Sequence, residues 1–365
     1  MKFIIAIDSF KGCLTSGQAN EAAKAGILEA MPDANVTTIP VSDGGEGWLD
    51  AIQHSVRGKI HKADACDPLL RPVRVPYLFD RKNRTAYIES AKVIGMGLLV
   101  ERHRHYPQNK WTSGMADILV KIWKAHPRCH VVVGLGGSAT CDVGTAMMAG
   151  LYYYDKELNF RDKPLPSFTI AADVSNPLCG PTGAARMFAP QKGATPEVVE
   201  ILERRAAITA QRWKRMLNGR DCSAYPGAGA AGGLGYAFMQ WLNADYQSGI
   251  DMLIELSGLK KMVADADVII TGEGSADRQT LLGKVPFGIL NAVNACKENE
   301  QRKIPVCLIA GRVQDKEKLI EAGFSHVKCI NPASLPLHLA INKATALANI
   351  KTTVADIIRE NYVSK

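Results

Sequence analysis

The sequence has no C-x-x-C pair, no lysine-rich tail, no internal repeat and no low-complexity tract. Its 9 cysteines are an odd, scattered set, which excludes a zinc ribbon or a secreted disulfide framework and leaves reduced thiols as the expectation. His126 and His130 stand four apart, but Pro127 and the strand-like run from Cys129 exclude a zinc-protease helix. Aromatic residues make up only 7%. They do not interleave with the basic spots at Arg102, His103, Arg104 and His105, or at Arg204, Arg205, Arg212, Lys214 and Arg215, so both spots read as solvated surface and no nucleic-acid partner is expected. No apolar run approaches the roughly 20 residues that a bilayer demands, and Met1 to Ile7 is too short for a signal peptide. A cytoplasmic protein with no membrane partner is the expectation.

What is present is an ordinary globular composition, with 365 residues, 47% apolar and 22% charged, and a net charge of +8 that suits anionic small molecules as well as anything larger. The recurring unit is a short β-branched run, a loop rich in glycine or aspartate, and an amphipathic helix. Phe3 to Ile7, Val36 to Val41, Val131 to Val133, Val268 to Thr271 and Val306 to Ala310 are such runs, with Ser16 the expected N-cap of the first helix and a last helix from about Leu337 to Glu360. The texture changes in the middle of the chain. The expected fold class is therefore α/β, a doubly wound parallel-sheet domain built from both chain ends (residues 1–95 and 257–365). An α/β domain of residues 96–256 is inserted, with an active-site cleft between the two.

Ligands of open parallel sheets sit at the carboxyl ends of the strands. Asp8, Asp43, Asp173 and Glu273 each follow a strand-like run directly, and acidic groups there suit Mg2+ or a base that accepts a hydroxyl proton. The loop Gly134-Leu135-Gly136-Gly137-Ser138-Ala139-Thr140 sets backbone N–H groups and two hydroxyls at a helix start, where phosphate is favoured. It lacks the Gly-Lys-Ser/Thr end of a Walker loop, and it looks like the short phosphate loop of the galactokinase and homoserine kinase superfamily. A second glycine loop, Pro226 to Gly235, reads equally as a phosphate cradle or a tight packing element.

Asp8-Ser9-Phe10-Lys11-Gly12, Ser42 to Gly47, Gly134 to Asp142, Asp173 to Pro181, Pro190 to Gly193, Pro226 to Gly235 and Thr271 to Gly274 with Asp277, Gln279, Thr280, Gly283 and Lys284 together resemble the bacterial glycerate kinase family. The resemblance implies a flavodoxin-like domain with a second α/β domain inserted. It also implies ATP- and Mg2+-dependent phosphorylation of D-glycerate to 2-phosphoglycerate, or to 3-phosphoglycerate. On that reading Lys11 and the loop residues Gly134, Gly136, Gly137, Ser138 and Thr140 meet the phosphates of ATP. Asp43, Asp173, Glu273 and Lys11 are the catalytic candidates, and Asp8, Asp43 and Asp173 the Mg2+ candidates. Ser9, Glu46, Asn176, Lys192, Arg278 and Lys284 are the substrate candidates, with Lys192, Arg278 and Lys284 for the glycerate carboxylate and Glu46, with Asp43, for a metal or the hydroxyls. The chain departs from the family at Ser42, Trp48, Cys141 and Ser275. Ser275 stands where the family carries arginine, and Arg278 is expected to substitute. A kinase of another small hydroxy acid and a non-catalytic binding homologue stay open as alternatives, as do a homodimer and a monomer.

Overall fold

The computed structural model describes residues 1–158, 166–297 and 303–363. Among them, eleven strands follow in chain order: β1 (Lys2–Ile7), β2 (Asn35–Thr38), β3 (Lys59–Cys66), β4 (Pro72–Asp80), β5 (Thr85–Glu89), β6 (His130–Gly134), β7 (Ser167–Ala171), β8 (Asp245–Gln247), β9 (Val268–Glu273), β10 (Val306–Ala310) and β11 (His326–Cys329). The chain divides into two compact units, one of Met1–Asp43, Asp50–Val56 and Ile250–Lys365, the other of Gly44–Leu49 and Arg57–Gly249.

The first unit holds a five-stranded sheet in the order β11-β10-β9-β1-β2, parallel throughout. Both faces are covered, which explains why its strands read as continuous apolar runs. Phe3, Ile5 and Ile7 of β1 point into a core shared with the helices Ser16–Ala30 and Lys343–Asn361, while Ile4 and Ala6 point to the opposite core under the helix Val285–Lys297. Chain order reverses between β1 and β9, the flavodoxin-like switch point where such sheets bind ligands. Two details differ from expectation. Thr15 and not Ser16 caps the first helix, in a capping box with Gln18; Ser16 is buried instead, its hydroxyl donating to Ile7 O (2.6 Å) and accepting from Val41 N (2.9 Å). The last helix is broken, because Asn342 starts a new N-cap after the short turn Leu337–Ala340.

The second unit holds a six-stranded sheet, β3-β4-β5-β6-β7-β8, antiparallel from β3 to β5 and parallel from β5 to β8. Residues 57–95, expected to belong with the chain ends, lie here instead. The physical reason is pairing: β5 runs parallel to β6 with Thr85 opposite His130 and Glu89 opposite Gly134, which draws the β3–β4 meander into the same sheet. The helix Pro196–Met216 buries Val199, Leu202, Ala206, Ala210 and Trp213, three or four residues apart, so Arg204, Arg205, Arg212, Lys214 and Arg215 fall on its exposed side as expected. No helix among the described residues is long and apolar enough to cross a membrane.

Candidate active site

In the first unit the register pairs Ile7 with Gly272, so the next residues, Asp8 and Glu273, leave neighbouring strands at one level on the switch point. Both are buried. Asp8 accepts from Ser9 N through Oδ1 at 2.7 Å. Burial first and the Asp43 charge second push its carboxyl well above the usual range, against the opposing pull of that amide and of Lys11. Glu273 accepts from Thr280 Oγ1 at 2.5 Å and pairs with Lys284 Nζ at 3.5 Å; burial raises its carboxyl too, with Lys284 pulling the other way. Lys11, largely exposed, lies 3.7 Å from Asp43 Oδ2. The structure thus gathers Asp8, Ser9, Lys11, Asp43, Glu273 and Lys284 within one unit.

The sequence reading missed the groups that hold this set in place. Asn20 ties two strand ends, accepting from Ile7 N (2.9 Å) and donating to Ile39 O (3.0 Å), and Ser16 does the same one turn earlier. Thr280 is positioned by the cap of its own short helix, where Asp277 accepts from Gln279 N and donates its own N–H to Thr280 Oγ1. Arg278, expected at the substrate, is paired on the surface here. Its Nε meets Asp315 Oδ2 at 3.1 Å, beside a polar cavity of about 630 Å³ lined by both residues with Asp277, Gln279 and Gln314. Exposed pairs of this kind contribute about 0–1 kcal/mol. Arg278→Ala should therefore change kcat/KM less than about fivefold in steady-state assays; a loss of twentyfold or more would return it to the substrate carboxylate.

In the second unit the loop after β6 is set by close backbone contact. A Cβ at Gly136 would lie 2.4 Å from Gly45 Cα, one at Gly134 2.8 Å from Gly44 O, and one at Gly44 2.7 Å from Ala171 O. The Gly44–Gly47 segment therefore lies directly on the Gly134–Gly137 turn, which only glycine permits. Glu89, buried at the end of β5, accepts from Gly47 N (3.3 Å) and Leu49 N (2.9 Å), holding the first N–H groups of the helix Trp48–Ser55. Sequence reading passed over it because its partners lie 40 residues or more away. Lys192, only 5% exposed, donates to Ser138 Oγ (2.9 Å) and Thr140 O (2.8 Å), so this substrate candidate reaches the phosphate-loop candidates. Glu46 is exposed on the same glycine segment. Asp173 accepts from Ser248 Oγ at 2.6 Å and Asn176 donates to Thr182 O at 2.8 Å, loop closures within this unit.

The second glycine loop is a packing element. A Cβ at Gly232 would sit 2.1 Å from Thr140 O and one at Gly229 2.5 Å from Pro177 O, so the helix Ala230–Leu242 starts against the end of the phosphate-loop candidate.

Among the described residues no group of three or more histidines, cysteines or carboxylates is close enough to hold a metal ion. The donors that do exist at the switch point are hard oxygens, and Mg2+ commonly takes one or two carboxylates and completes its shell with water and phosphate. Asp43, partly exposed beside buried Asp8, fits that pattern.

A sequence profile described as the glycerate kinase family matches residues 3–164 and 161–361. The chain is 33% identical to a protein named glycerate kinase from Bacillus subtilis (strain 168), over 100% of this chain and 99% of that one. It is 32% identical to a glycerate 2-kinase from Escherichia coli (strain K12), over 86% of each. A crystal structure assigned to glycerate kinase 2 of Salmonella typhimurium LT2 superposes with a TM-score of 0.73 at 31% identity, covering 98% of this chain and 97% of the other.

Proposed function

This chain belongs to the glycerate kinase family, a family of alcohol phosphotransferases, and on that premise we propose that it transfers the terminal phosphoryl group of ATP to D-glycerate. The observation that carries the mechanism is the pair of buried carboxyls, Asp8 and Glu273, at the switch point of a chain that matches the family along its length. Phosphoryl transfer needs positioning, charge neutralisation and an acceptor for the alcohol proton. Both oxygens of Glu273 are engaged, by Thr280 and Lys284, whereas Asp8 spends one oxygen on Ser9 N. Asp8 is thus the base that takes the glycerate hydroxyl proton, its raised pKa making it a better match to that proton than an ordinary aspartate. Lys11 and Lys284 supply cations for the carboxylate and phosphates, and Gly134 to Thr140 supplies amides and hydroxyls to the nucleotide. Asp43 would hold Mg2+, which neutralises phosphate charge when bound. The proposed compartment is the cytoplasm, in keeping with nine free thiols.

Asp43→Asn keeps the shape of the side chain and removes its charge. It should lower kcat/KM for glycerate about a hundredfold while leaving the melting temperature in place; unchanged kinetics would make Asp43 a turn residue only. The test of the whole reading is a coupled ADP-release screen of the purified protein against D-glycerate, L-glycerate, glycolate, tartronate and homoserine. D-Glycerate should stand out, and phosphorus NMR of its product should give the 2-phosphate. Turnover with another acid and none with D-glycerate would reassign the substrate.

A further inference from the structure

Two lysines of the second unit are buried without a carboxylate. Lys110 is 1% exposed and Lys192 5%, and the hydrogen-bond acceptors of both among the described residues are carbonyls and a hydroxyl. Lys110 Nζ donates to His105 O (2.5 Å) and Arg104 O (3.4 Å), and Lys192 Nζ to Ser138 Oγ and Thr140 O, with the Cys141 thiol as a further neighbour, so Lys110 has used two of its three N–H groups and neither ammonium meets a charged acceptor in these bonds. Thr140 is wholly buried, and its Oγ1 meets no partner. The two lysines lie together: a Cβ at Gly193, next to Lys192, would stand 2.9 Å from Cα of His105, whose carbonyl Lys110 holds, and Lys192 adds to burial in lowering the Lys110 pKa. The acid beside them supplies no compensation. Burial holds the Cys141 thiol above its ordinary value and so neutral, although both lysines pull it down. The next carboxyl, Asp142, is saturated by Thr112 N and Oγ1, Gly144 N and Ala146 N. Buried like charges without a counter-charge are costly and are relieved by an anion.

We infer that Lys110, Lys192 and the Thr140 hydroxyl form an anion site that takes a phosphoryl group at the end of the Gly134–Thr140 loop. The inference deepens the kinase reading and rests on it for the identity of the ligand, since a nucleotide phosphate and the phosphate of the product present the same chemistry. Lys110 is then a specificity-determining cation, although its sequence neighbourhood carries no phosphate motif.

Calorimetry with inorganic phosphate, pyrophosphate, ADP and 2-phosphoglycerate tests it without relying on turnover. Lys110→Met, which keeps the aliphatic stem, should weaken pyrophosphate about tenfold or more, the scale of a lost charged hydrogen bond. Equal weakening of ADP with 2-phosphoglycerate unchanged assigns the site to the nucleotide, and the reverse pattern to the product. Thr140→Val is the second variant: it should raise the melting temperature of the ligand-free protein, by removing an orphaned hydroxyl, and reduce the further rise that phosphate produces. If Lys110 only ties down the carbonyls of Arg104 and His105, Lys110→Met lowers the melting temperature and leaves every phosphate affinity as it was. That result, or a Thr140→Val protein with unaltered phosphate response, overturns the inference. A protein that binds pyrophosphate through Lys110 and yet turns over no glycerate would sink the kinase reading alone.

Discussion

Asp8→Asn should lower kcat with D-glycerate about a thousandfold and at the same time raise the melting temperature of the metal-free protein at pH 8. The two effects have one origin. Burial and the Asp43 charge lift the Asp8 pKa in the folded state above its unfolded value. Between those two values the folded protein binds a proton that the unfolded chain has released, so stability is greatest below the unfolded pKa and falls as pH rises through the folded one. At pH 8 the unfolded chain has released this proton, and the native site bears the cost of holding the group buried beside Asp43. Asparagine removes that cost and removes the proton acceptor with it. Kinetics and thermal melts in EDTA-treated buffer, at pH 5 and pH 8, check both halves, and the stabilisation should shrink toward pH 5. An inactive variant that melts lower at pH 8 would show Asp8 to be a structural group.

Gly136→Ala should damage both the packing of the second unit and catalysis. The added carbon would lie 2.4 Å from Gly45 Cα and 2.8 Å from Gly45 N, backbone atoms that cannot rotate away, so the two glycine segments must separate. Overpacking of this kind costs roughly 1–3 kcal/mol. The larger loss is in catalysis, because the displaced turn carries the amides assigned to ATP. We expect kcat/KM for ATP to fall roughly a hundredfold, the scale of a misplacement near 1 Å. Gly97→Ala is the control, since nothing lies within 4 Å of its added carbon and its backbone is ordinary. Equal behaviour of the two variants would mean that the turn takes no part in nucleotide binding.

The legible parts of this molecule were those decided locally. β1, β6, β9 and β10 announce themselves as short β-branched runs because sheets covered on both faces need no alternation, and the strand-end rule then picks out Asp8 and Glu273. The allegiance of the meander at β3 and β4 is not legible in the sequence, because it depends on β5 pairing with β6, about 45 residues on, which no local pattern encodes. The same distance effect hides Glu89, whose partners are Gly47 and Leu49, and the pairing of Arg278 with Asp315, 37 residues on. Lys110 escaped notice for another reason: a lysine outside any motif reads as surface, and only three-dimensional burial shows otherwise.

The nesting of the two units also sets an order of events during synthesis. β1 leaves the ribosome first but pairs with β9, whose residues emerge after some 260 others; at about 5–20 residues per second, Phe3 waits roughly 15–50 s for Val268. All strands of the six-stranded sheet are made within that interval, so the inserted unit is complete while the N-terminal strand still lacks its main neighbour. Phe3 and Tyr362 stand with ring centroids 6.5 Å apart, which brings the two ends of the chain together in the finished fold. Joining them and opening the chain near Gly249 would make each unit almost contiguous, turning the slowest partner search of the natural chain into a local one.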